Sequence, residues 1–520
     1  MSEPQPQDDQ DLAALGYRQE LVRTLGAFST FATGFAFISI LTGMFLLFGF
    51  VYAVAGPASI WAWVIVFVGQ FLIALTFAEL AVRYPLAGSV YNWTKHITRG
   101  TAVSWMAAIS MTLALTVGTA AVALSAQVIL PQISDIFWIY GDGTGPRDSQ
   151  INGAILGAIM LIASTAISLM GARVRSLVNN LGVSVELVAV IAIIIGFFLH
   201  AKRGPSVVFE TNGTGSNFSA GYLGALVLAL VLGVFVMYGF DTAASVGEET
   251  INPRHTSPRA ILRALVASAV FGALLLLGAF MSVSDLASED ISAGGLAYII
   301  KDALGDTLGD IALICAFFAV FVCGLANQTG AVNMMFAMAR DNALPGSARL
   351  ARVAERAKTP IVPPIIVAVI AFAVILYNIQ QPSVVVVVST TATVFAVIAY
   401  FLITASVCVN RFRGEWKAMG PGYFSLGRMG LPVCLAATLW GAFLIVNLVW
   451  PRSVLYNPAE PFHWYLQWGG VLFPAVAFLL AFAVYWFSQR QKIGIRPEHA
   501  AQRDAVGQSD HSATKNAARP

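Results

Sequence analysis

A long stretch near the start of this chain carries no charge, and this limits the folds that the chain can adopt. Residues 24–78 contain no Asp, Glu, Lys or Arg. A transmembrane helix needs about 20 apolar residues, so this stretch has room for two spans. Apolar residues make up 58% of the chain and charged residues 11%, whereas soluble domains are about 45–50% apolar and about 25% charged. This composition excludes an ordinary soluble domain and a disordered chain, and it indicates a polytopic membrane protein.

Apolar runs of spanning length recur along the whole chain. They lie at residues 26–54, 58–82, 102–130, 151–171, 176–199, 222–247, 260–283, 308–338, 361–378, 384–409, 431–450 and 465–488. Helices satisfy their own backbone hydrogen bonds and are therefore the natural spanning structure for such runs. We predict an all-α polytopic membrane protein with 12 transmembrane helices.

The distribution of basic residues between the loops predicts the orientation. If the N-terminus is cytoplasmic, 25 of the 30 Lys and Arg residues fall in cytoplasmic segments. The five others are Arg147, Lys202, Arg203, Lys301 and Arg452. Because cytoplasmic loops carry an excess of basic residues, we expect a multi-pass protein of the plasma (inner) membrane with both termini in the cytoplasm. Residues 1–25 and 489–520 would then be cytoplasmic tails, the second one disordered.

The first and sixth runs are interrupted by residues that are unusual in the middle of an apolar helix. The first contains Ser39, Thr42 and Gly43, and the sixth contains Gly239 and Asp241. Non-helical backbone at membrane depth is tolerated only where it lines a cavity or is buried in protein. Interrupted spans at matching places in two halves indicate the binding site of a secondary transporter. Close packing between helices is the alternative explanation for either interruption alone.

A broken helix exposes unpaired N–H groups at the start of one half and unpaired C=O groups at the end of the other. The N–H groups attract a carboxylate, and the C=O groups attract an ammonium group or a metal cation. Two facing breaks would therefore bind a zwitterion, and Asp241 would either assist with the amine or cap the second half-helix. The predicted substrate-binding residues are Ser39, Thr42, Gly43, Tyr238, Gly239, Phe240 and Asp241.

Three motifs in the same order resemble those of the amino acid–polyamine–organocation permeases. They are Gly239-Phe240-Asp241 with Glu248-Glu249-Thr250-Ile251-Asn252-Pro253, Glu79-Leu80 with Tyr84-Pro85-Leu86-Ala87-Gly88, and Ala337-Met338-Ala339-Arg340-Asp341 with Leu344-Pro345. The resemblance implies the leucine-transporter fold, with inverted five-helix repeats at residues 26–200 and 201–410 and two extra helices within 411–488. Leu41 stands where the family usually has a glycine, and the chain looks more like the amino acid–choline branch.

Glu186 is an ionisable residue deep in the fifth run. It follows Arg175, at the cytoplasmic edge, by 11 residues, which places it about 16 Å into a hydrocarbon core about 30 Å thick. An ionisable residue at that depth is energetically costly, so it is a candidate functional residue. We predict that Glu186 carries a coupling proton; a role in holding a cation and a purely structural role are the alternatives.

Three further charged residues lie near the predicted cytoplasmic mouth. Glu248, Glu249 and Arg254 are candidates for a gate, and solvated helix-end charges are the alternative.

The predicted function is secondary active transport of amino acids or related amines by alternating access, with proton-coupled import. Sodium-coupled or exchange transport of choline, γ-aminobutyrate or polyamine is an alternative, and a non-transporting nutrient receptor is an alternative of another class. The sequence contains no Gly-Lys and no His-Glu dipeptide, which excludes the Walker A and His-Glu-x-x-His motifs. We therefore expect that the protein is not an enzyme and that it has no cofactor or resident metal. The net charge of +3 is too small to indicate binding of nucleic acid.

Overall fold

The structure is a computed structural model that describes residues 12, 15, 23–145, 147–354, 359–379, 384–417, 419–457 and 462–494. Within these residues the protein is helical, and the only β-type contacts are two isolated bridges, Leu25 with Thr250 and Val353 with Pro360. The predicted C-terminal tail after residue 494 and most of the predicted N-terminal tail lie outside the described residues.

We number the helices of at least nine residues in chain order. They are α1 (Ala27–Ile38), α2 (Ile40–Ala55), α3 (Ile60–Arg83), α4 (Ser89–Ile97), α5 (Thr101–Ile133), α6 (Asp148–Leu169), α7 (Ala172–Leu199), α8 (Tyr222–Val236), α9 (Pro253–Ser282), α10 (Glu289–Arg340), α11 (Val362–Asn378), α12 (Val384–Phe412), α13 (Gly430–Val449) and α14 (Gly469–Val484).

Each of the 12 predicted runs contains a helix, but the helices differ in length. In the described part of the chain ten segments, with α1 and α2 counted together as one, are long and apolar enough to cross a membrane. An eleventh is reached if α8 and the bent segment before it form one span. α8 has 15 residues and α11 has 17. At 1.5 Å per residue they reach about 22–26 Å, less than the hydrocarbon thickness of about 30 Å. The polytopic all-α architecture is confirmed, with ten to eleven spanning helices by length and composition.

Two glycines divide the 52-residue helix α10. Gly295 and Gly305 have φ values of +59° and +74°, a left-handed conformation that glycine adopts without steric cost. The piece that follows Gly305 and ends at Arg340 corresponds to the predicted run at residues 308–338. It carries the side chains that α10 contributes to the centre of the bundle.

The α1–α2 pair lies at the centre of the bundle and the last helices lie at its edge. In the most apolar part of α1–α2, 83% of the residues are buried, against 22% for the final spanning helix. α1 packs against α7, α9 and α10, while α2 packs against α5, α8 and α10. The interruption between α1 and α2 is therefore surrounded by protein, where irregular backbone is tolerated at membrane depth.

Candidate substrate site

A single residue, Ser39, separates α1 from α2. Its backbone is non-helical, with φ 16° and ψ 100°. The Ser39 hydroxyl oxygen accepts a hydrogen bond from the Thr42 backbone N–H at 3.4 Å and lies 2.7 Å from the Thr42 hydroxyl. Serine suits this position because its short side chain satisfies one of the unpaired N–H groups at the start of a helix.

The carboxylate of Glu186 occupies the N-terminal end of α2. It accepts hydrogen bonds from the Ser39 hydroxyl at 2.8 Å and from the Leu41 backbone N–H at 3.4 Å, and the residue is only 1% exposed. A helix N-terminus attracts negative charge. The place predicted for a substrate carboxylate is thus held by a side chain of the protein itself.

The second interruption follows the end of α8 at Val236. Gly239 has φ +86°, and a Cβ atom there would lie 1.8 Å from the Phe37 ring; both facts require glycine. Its N–H donates to the Tyr400 hydroxyl at 2.7 Å, and its C=O accepts from the Thr242 N–H at 3.0 Å. The polar backbone groups of Gly239 are therefore paired within the protein.

Asp241 is buried between two hydroxyl groups. Tyr400 donates to one carboxylate oxygen and Ser89 donates to the other at 2.8 Å. The side chain makes no capping hydrogen bond to the single helical turn, Thr242–Ser245, that it precedes. These contacts connect the second interruption to α12 and α4. The cap, one of the two roles considered for Asp241 from the sequence, does not form.

A small cavity lies between the two interruptions. Its lining residues are Phe37, Ile38, Ser39, Thr42, Gly43, Val122, Phe235, Tyr238, Cys323 and Asn327. Four of the seven predicted substrate-binding residues belong to this lining: Ser39, Thr42, Gly43 and Tyr238. Gly239, Phe240 and Asp241 lie outside it, where Phe240 packs between the rings of Phe77 and Tyr400.

Sequence reasoning did not assign six of the lining residues to the site. Phe37, Ile38 and Phe235 lie in the two interrupted runs, and the other three lie on other helices. Val122 comes from α5, and Cys323 and Asn327 come from α10, one helical turn apart. Asn327 was visible as a polar interruption of an apolar run, but interhelical packing is the more common role of such a residue.

The sequence matches the family model described as Amino acid permease over residues 25–485. The chain belongs to the amino acid permease family. This family is part of the amino acid–polyamine–organocation superfamily, so the resemblance seen in the motifs is confirmed.

The curated relatives of this permease include proteins from plants and bacteria. The amino-acid permease BAT1 of Arabidopsis thaliana is 28% identical over 92% of this chain and 95% of the relative. The branched-chain amino acid permease BcaP of Bacillus subtilis is 28% identical over 68% of this chain and 74% of its own length. The methylthioribose transporter of the same organism is 26% identical, covering 67% and 74%. These relatives are transporters rather than enzymes.

Buried ion pairs lie at one end of the permease bundle, where α1 and α7 begin and α10 ends; we call it the basic end. Arg340 donates to both oxygens of Glu248 at 2.7 and 3.0 Å, and the Ala87 N–H donates to the same carboxylate at 2.9 Å. Glu249 lies 3.6 Å from Arg175. The guanidinium of Arg254, the third predicted gate residue, lies 5.8 Å from the centre of the Tyr423 ring. The pairing of the two glutamates with distant arginines was not foreseen.

The chain segment before α1 is held at this same basic end. Arg23 donates to the carbonyl oxygens of Gly247 and Thr250 at 3.2 and 2.9 Å. The backbone N–H groups of Thr24 and Leu25 both donate to the Glu249 carbonyl oxygen at 2.9 Å. A second cavity, lined by Thr33, Asn179 and Thr329 among others, also contacts Glu249. Arg175 also lines it, so the Glu249–Arg175 pair forms part of its wall.

Proposed function

We propose that this permease imports amino acids by proton-coupled secondary transport. The observation that carries the proposal is the cavity between two interrupted helices, with a buried carboxylate from α7 bound to the N-terminal end of α2. BAT1 and BcaP, named as amino-acid permeases, support an amino acid as the solute. A zwitterion suits a site in which backbone N–H groups can receive its carboxylate.

Glu186 would couple the proton to the solute through competition for the same backbone groups. An ionised Glu186 accepts hydrogen bonds from Ser39 and Leu41. A protonated Glu186 has lost the charge that the helix N-terminus attracts, so these donors become free for the carboxylate of the solute. Proton binding and solute binding then favour each other by the same factor, because coupling between two sites is reciprocal.

The proposed architecture is the one that the family resemblance implies. α8 and α11 are counted as spans, giving 12 transmembrane helices in two inverted five-helix repeats, residues 26–200 and 201–410, followed by two further helices. Alternating access would rock one part of the bundle against the other around the central cavity. The basic end would face the cytoplasm, and its pairs of Glu248 and Glu249, with Arg254 nearby, would form the gate.

The cavity favours a zwitterion over choline or a polyamine. Among the described residues that line it, none carries a charge, whereas a buried polycation needs paired carboxylates. Choline has no carboxylate and cannot take the place of Glu186 at α2. Sodium-coupled uptake or exchange of γ-aminobutyrate, itself a zwitterion, is the alternative that fits the same cavity.

Uptake into liposomes containing the purified permease tests this function. An inward proton gradient should drive uphill accumulation of radiolabelled amino acids, and a protonophore should abolish it. Accumulation that depends on a sodium gradient and is unaffected by the proton gradient would contradict the proton coupling. Saturable binding without any accumulation would identify a receptor instead of a transporter. Liposomes without protein are the control for leak.

A further inference from the structure

Asn327 presents a buried hydrogen-bond acceptor that has no partner. The residue is 3% exposed and lines the central cavity. Within the described part of the chain, its side-chain oxygen Oδ1 accepts no hydrogen bond. An amide oxygen can accept two hydrogen bonds, and buried polar atoms are rarely left unsatisfied in folded proteins. An empty acceptor on the wall of a binding cavity suggests a donor on the solute.

The contacts of the Asn327 side-chain nitrogen determine the orientation of its amide group. The Nδ2 group donates to the Cys323 carbonyl oxygen at 3.0 Å and lies 3.5 Å from the Cys323 sulfur. Exchanging the oxygen and nitrogen would place two acceptors against each other, so the hydrogen-bond network fixes the assignment. Oδ1 therefore points away from its own helix.

Gly118 of α5 lies close to Oδ1. A Cβ atom on Gly118 would lie 2.8 Å from the Asn327 oxygen and 3.1 Å from the Tyr238 hydroxyl. The acceptor thus lies beside the second interruption, and any other residue at position 118 would place a Cβ atom against it. Cys323, one turn earlier on α10, donates to the Phe37 carbonyl oxygen at 3.4 Å, so the same helix also contacts the first interruption.

The remaining walls restrict the side chain of the solute. Phe37, Val122 and Phe235 provide apolar surface, and no charged side chain lines the described cavity. Burial of a charge without a partner is strongly unfavourable. Glu186 contacts the lining residue Ser39 but is neutral in the proposed solute-bound state, so a charged side chain on the solute would have no counter-ion here.

We propose that Asn327 binds the ammonium group of the solute and that the site selects amino acids with an uncharged, apolar side chain. This inference rests on the proposed function and extends it to a specific acceptor and a solute class. The ammonium group donates to Oδ1 of Asn327, the carboxylate lies at the N-terminal end of α2, and the side chain packs against Phe37, Val122 and Phe235.

Binding of leucine and of 4-methylpentanoate, which is leucine without its amine, tests the proposal. The purified permease should prefer leucine by at least about tenfold, the value of one hydrogen bond to a charged group. Asn327→Leu should lose this preference because only the binding of leucine is weakened. The Kd of 4-methylpentanoate should stay within about threefold of its value in the unaltered protein. Gly118→Ala should weaken leucine in the same way, because its methyl group would cover Oδ1 while Asn327 stays in place.

Gln328→Leu is the matched control. Gln328 is the next residue of α10, is also buried, and also has an unpartnered side-chain oxygen. Its amide faces Thr165 and Pro364 at 2.8 and 3.3 Å, outside the cavity. This variant should keep the preference for leucine.

Three results would overturn the inference. In the first, Asn327→Leu and Gly118→Ala weaken leucine and 4-methylpentanoate equally. In the second, leucine binding is unchanged in both variants. In the third, lysine or glutamate binds as tightly as leucine. Failure of the proposed function would look different, since the unaltered permease would then show no proton-driven accumulation of amino acids, whereas the preference for leucine is measured by binding alone.

Discussion

Ser39 and Glu186 are 147 residues apart in the sequence, yet the hydroxyl of Ser39 donates a 2.8 Å hydrogen bond to the carboxylate of Glu186. The contact places a side chain of α7 on the interruption between α1 and α2. Because the same carboxylate also accepts from the Leu41 N–H, it fills the position that a bound carboxylate would take. In the proposed function, proton binding to Glu186 would therefore control whether the solute site is free.

Glu186→Gln should separate transport from its coupling. Glutamine preserves the size of the side chain but cannot carry a proton. In the unaltered protein we expect acidification to increase solute affinity about 5–150-fold, the usual range for coupled sites; in the variant this increase should vanish. Uphill uptake driven by a proton gradient should be lost, while exchange between equal solute concentrations persists.

Uptake and exchange in liposomes over a range of pH measure these quantities. Glu210→Gln is the control, because Glu210 is exposed. A Glu186→Gln protein that accumulates solute normally across pH would rule out the proton role.

Gly43→Ala should impair transport through helix packing. A Cβ atom at position 43 would lie 2.1 Å from a methyl carbon of Val236, so α2 and α8 would have to separate. Val236→Ala removes that carbon, and the double variant should recover uptake. Initial uptake rates, corrected for the amount of inserted protein, test this rescue; no recovery in the double variant would contradict the packing explanation.

For Gly239→Ala, removing the side chain that the new Cβ atom would contact should not restore stability. A Cβ atom there would meet the Phe37 ring at 1.8 Å, and the backbone has φ +86°. Phe37→Ala removes the ring, but the left-handed backbone still costs about 1–2 kcal/mol for a residue with a Cβ atom. The double variant should therefore melt below the Phe37→Ala protein in a thermal unfolding assay, and equal melting temperatures would show that the ring was the sole obstacle.

Tyr400→Phe should destabilise the second interruption. The hydroxyl of Tyr400 donates to Asp241 and accepts from the Gly239 N–H at 2.7 Å, so its removal leaves two buried groups without that partner. Each such group costs about 1–3 kcal/mol. A lower apparent melting temperature in detergent is expected, with Tyr377→Phe as control because Tyr377 is 45% exposed. Unchanged melting in Tyr400→Phe would argue against this network.

Arg340→Met should destabilise the folded protein more than loss of the whole Glu248–Arg340 pair. Their side chains are 0% and 2% exposed, and a buried charge deprived of the residue that faces it costs about 3–5 kcal/mol. Glu248→Gln in the same protein removes that charge and should recover part of the stability. Thermal unfolding of the two single variants and the double variant measures the coupling, and purely additive losses would show that the pair does not act as a unit.

Much of the fold follows from local sequence. Helix existence depends on the length and polarity of apolar runs, and each of the 12 runs contains a helix in the structure. The positions of both interruptions were also predictable, because Ser39 and Gly239 disfavour a continuous apolar helix locally. The lengths of α8 and α11 were less predictable, because a helix end depends on what packs against it.

From the sequence alone one can predict a helical membrane protein of the permease family with two interrupted helices and a carboxylate in the middle of an apolar run. The partners of the buried polar groups are known only from the packed helices: Glu186 with Ser39, Asp241 with Tyr400 and Ser89, and Glu248 with Arg340. The two kinds of feature differ in the distance along the chain over which the responsible interactions act. Hydrophobic periodicity and helix-breaking residues act within a few neighbours along the chain, whereas a buried polar group must find its partner on whichever helix the packed bundle brings beside it.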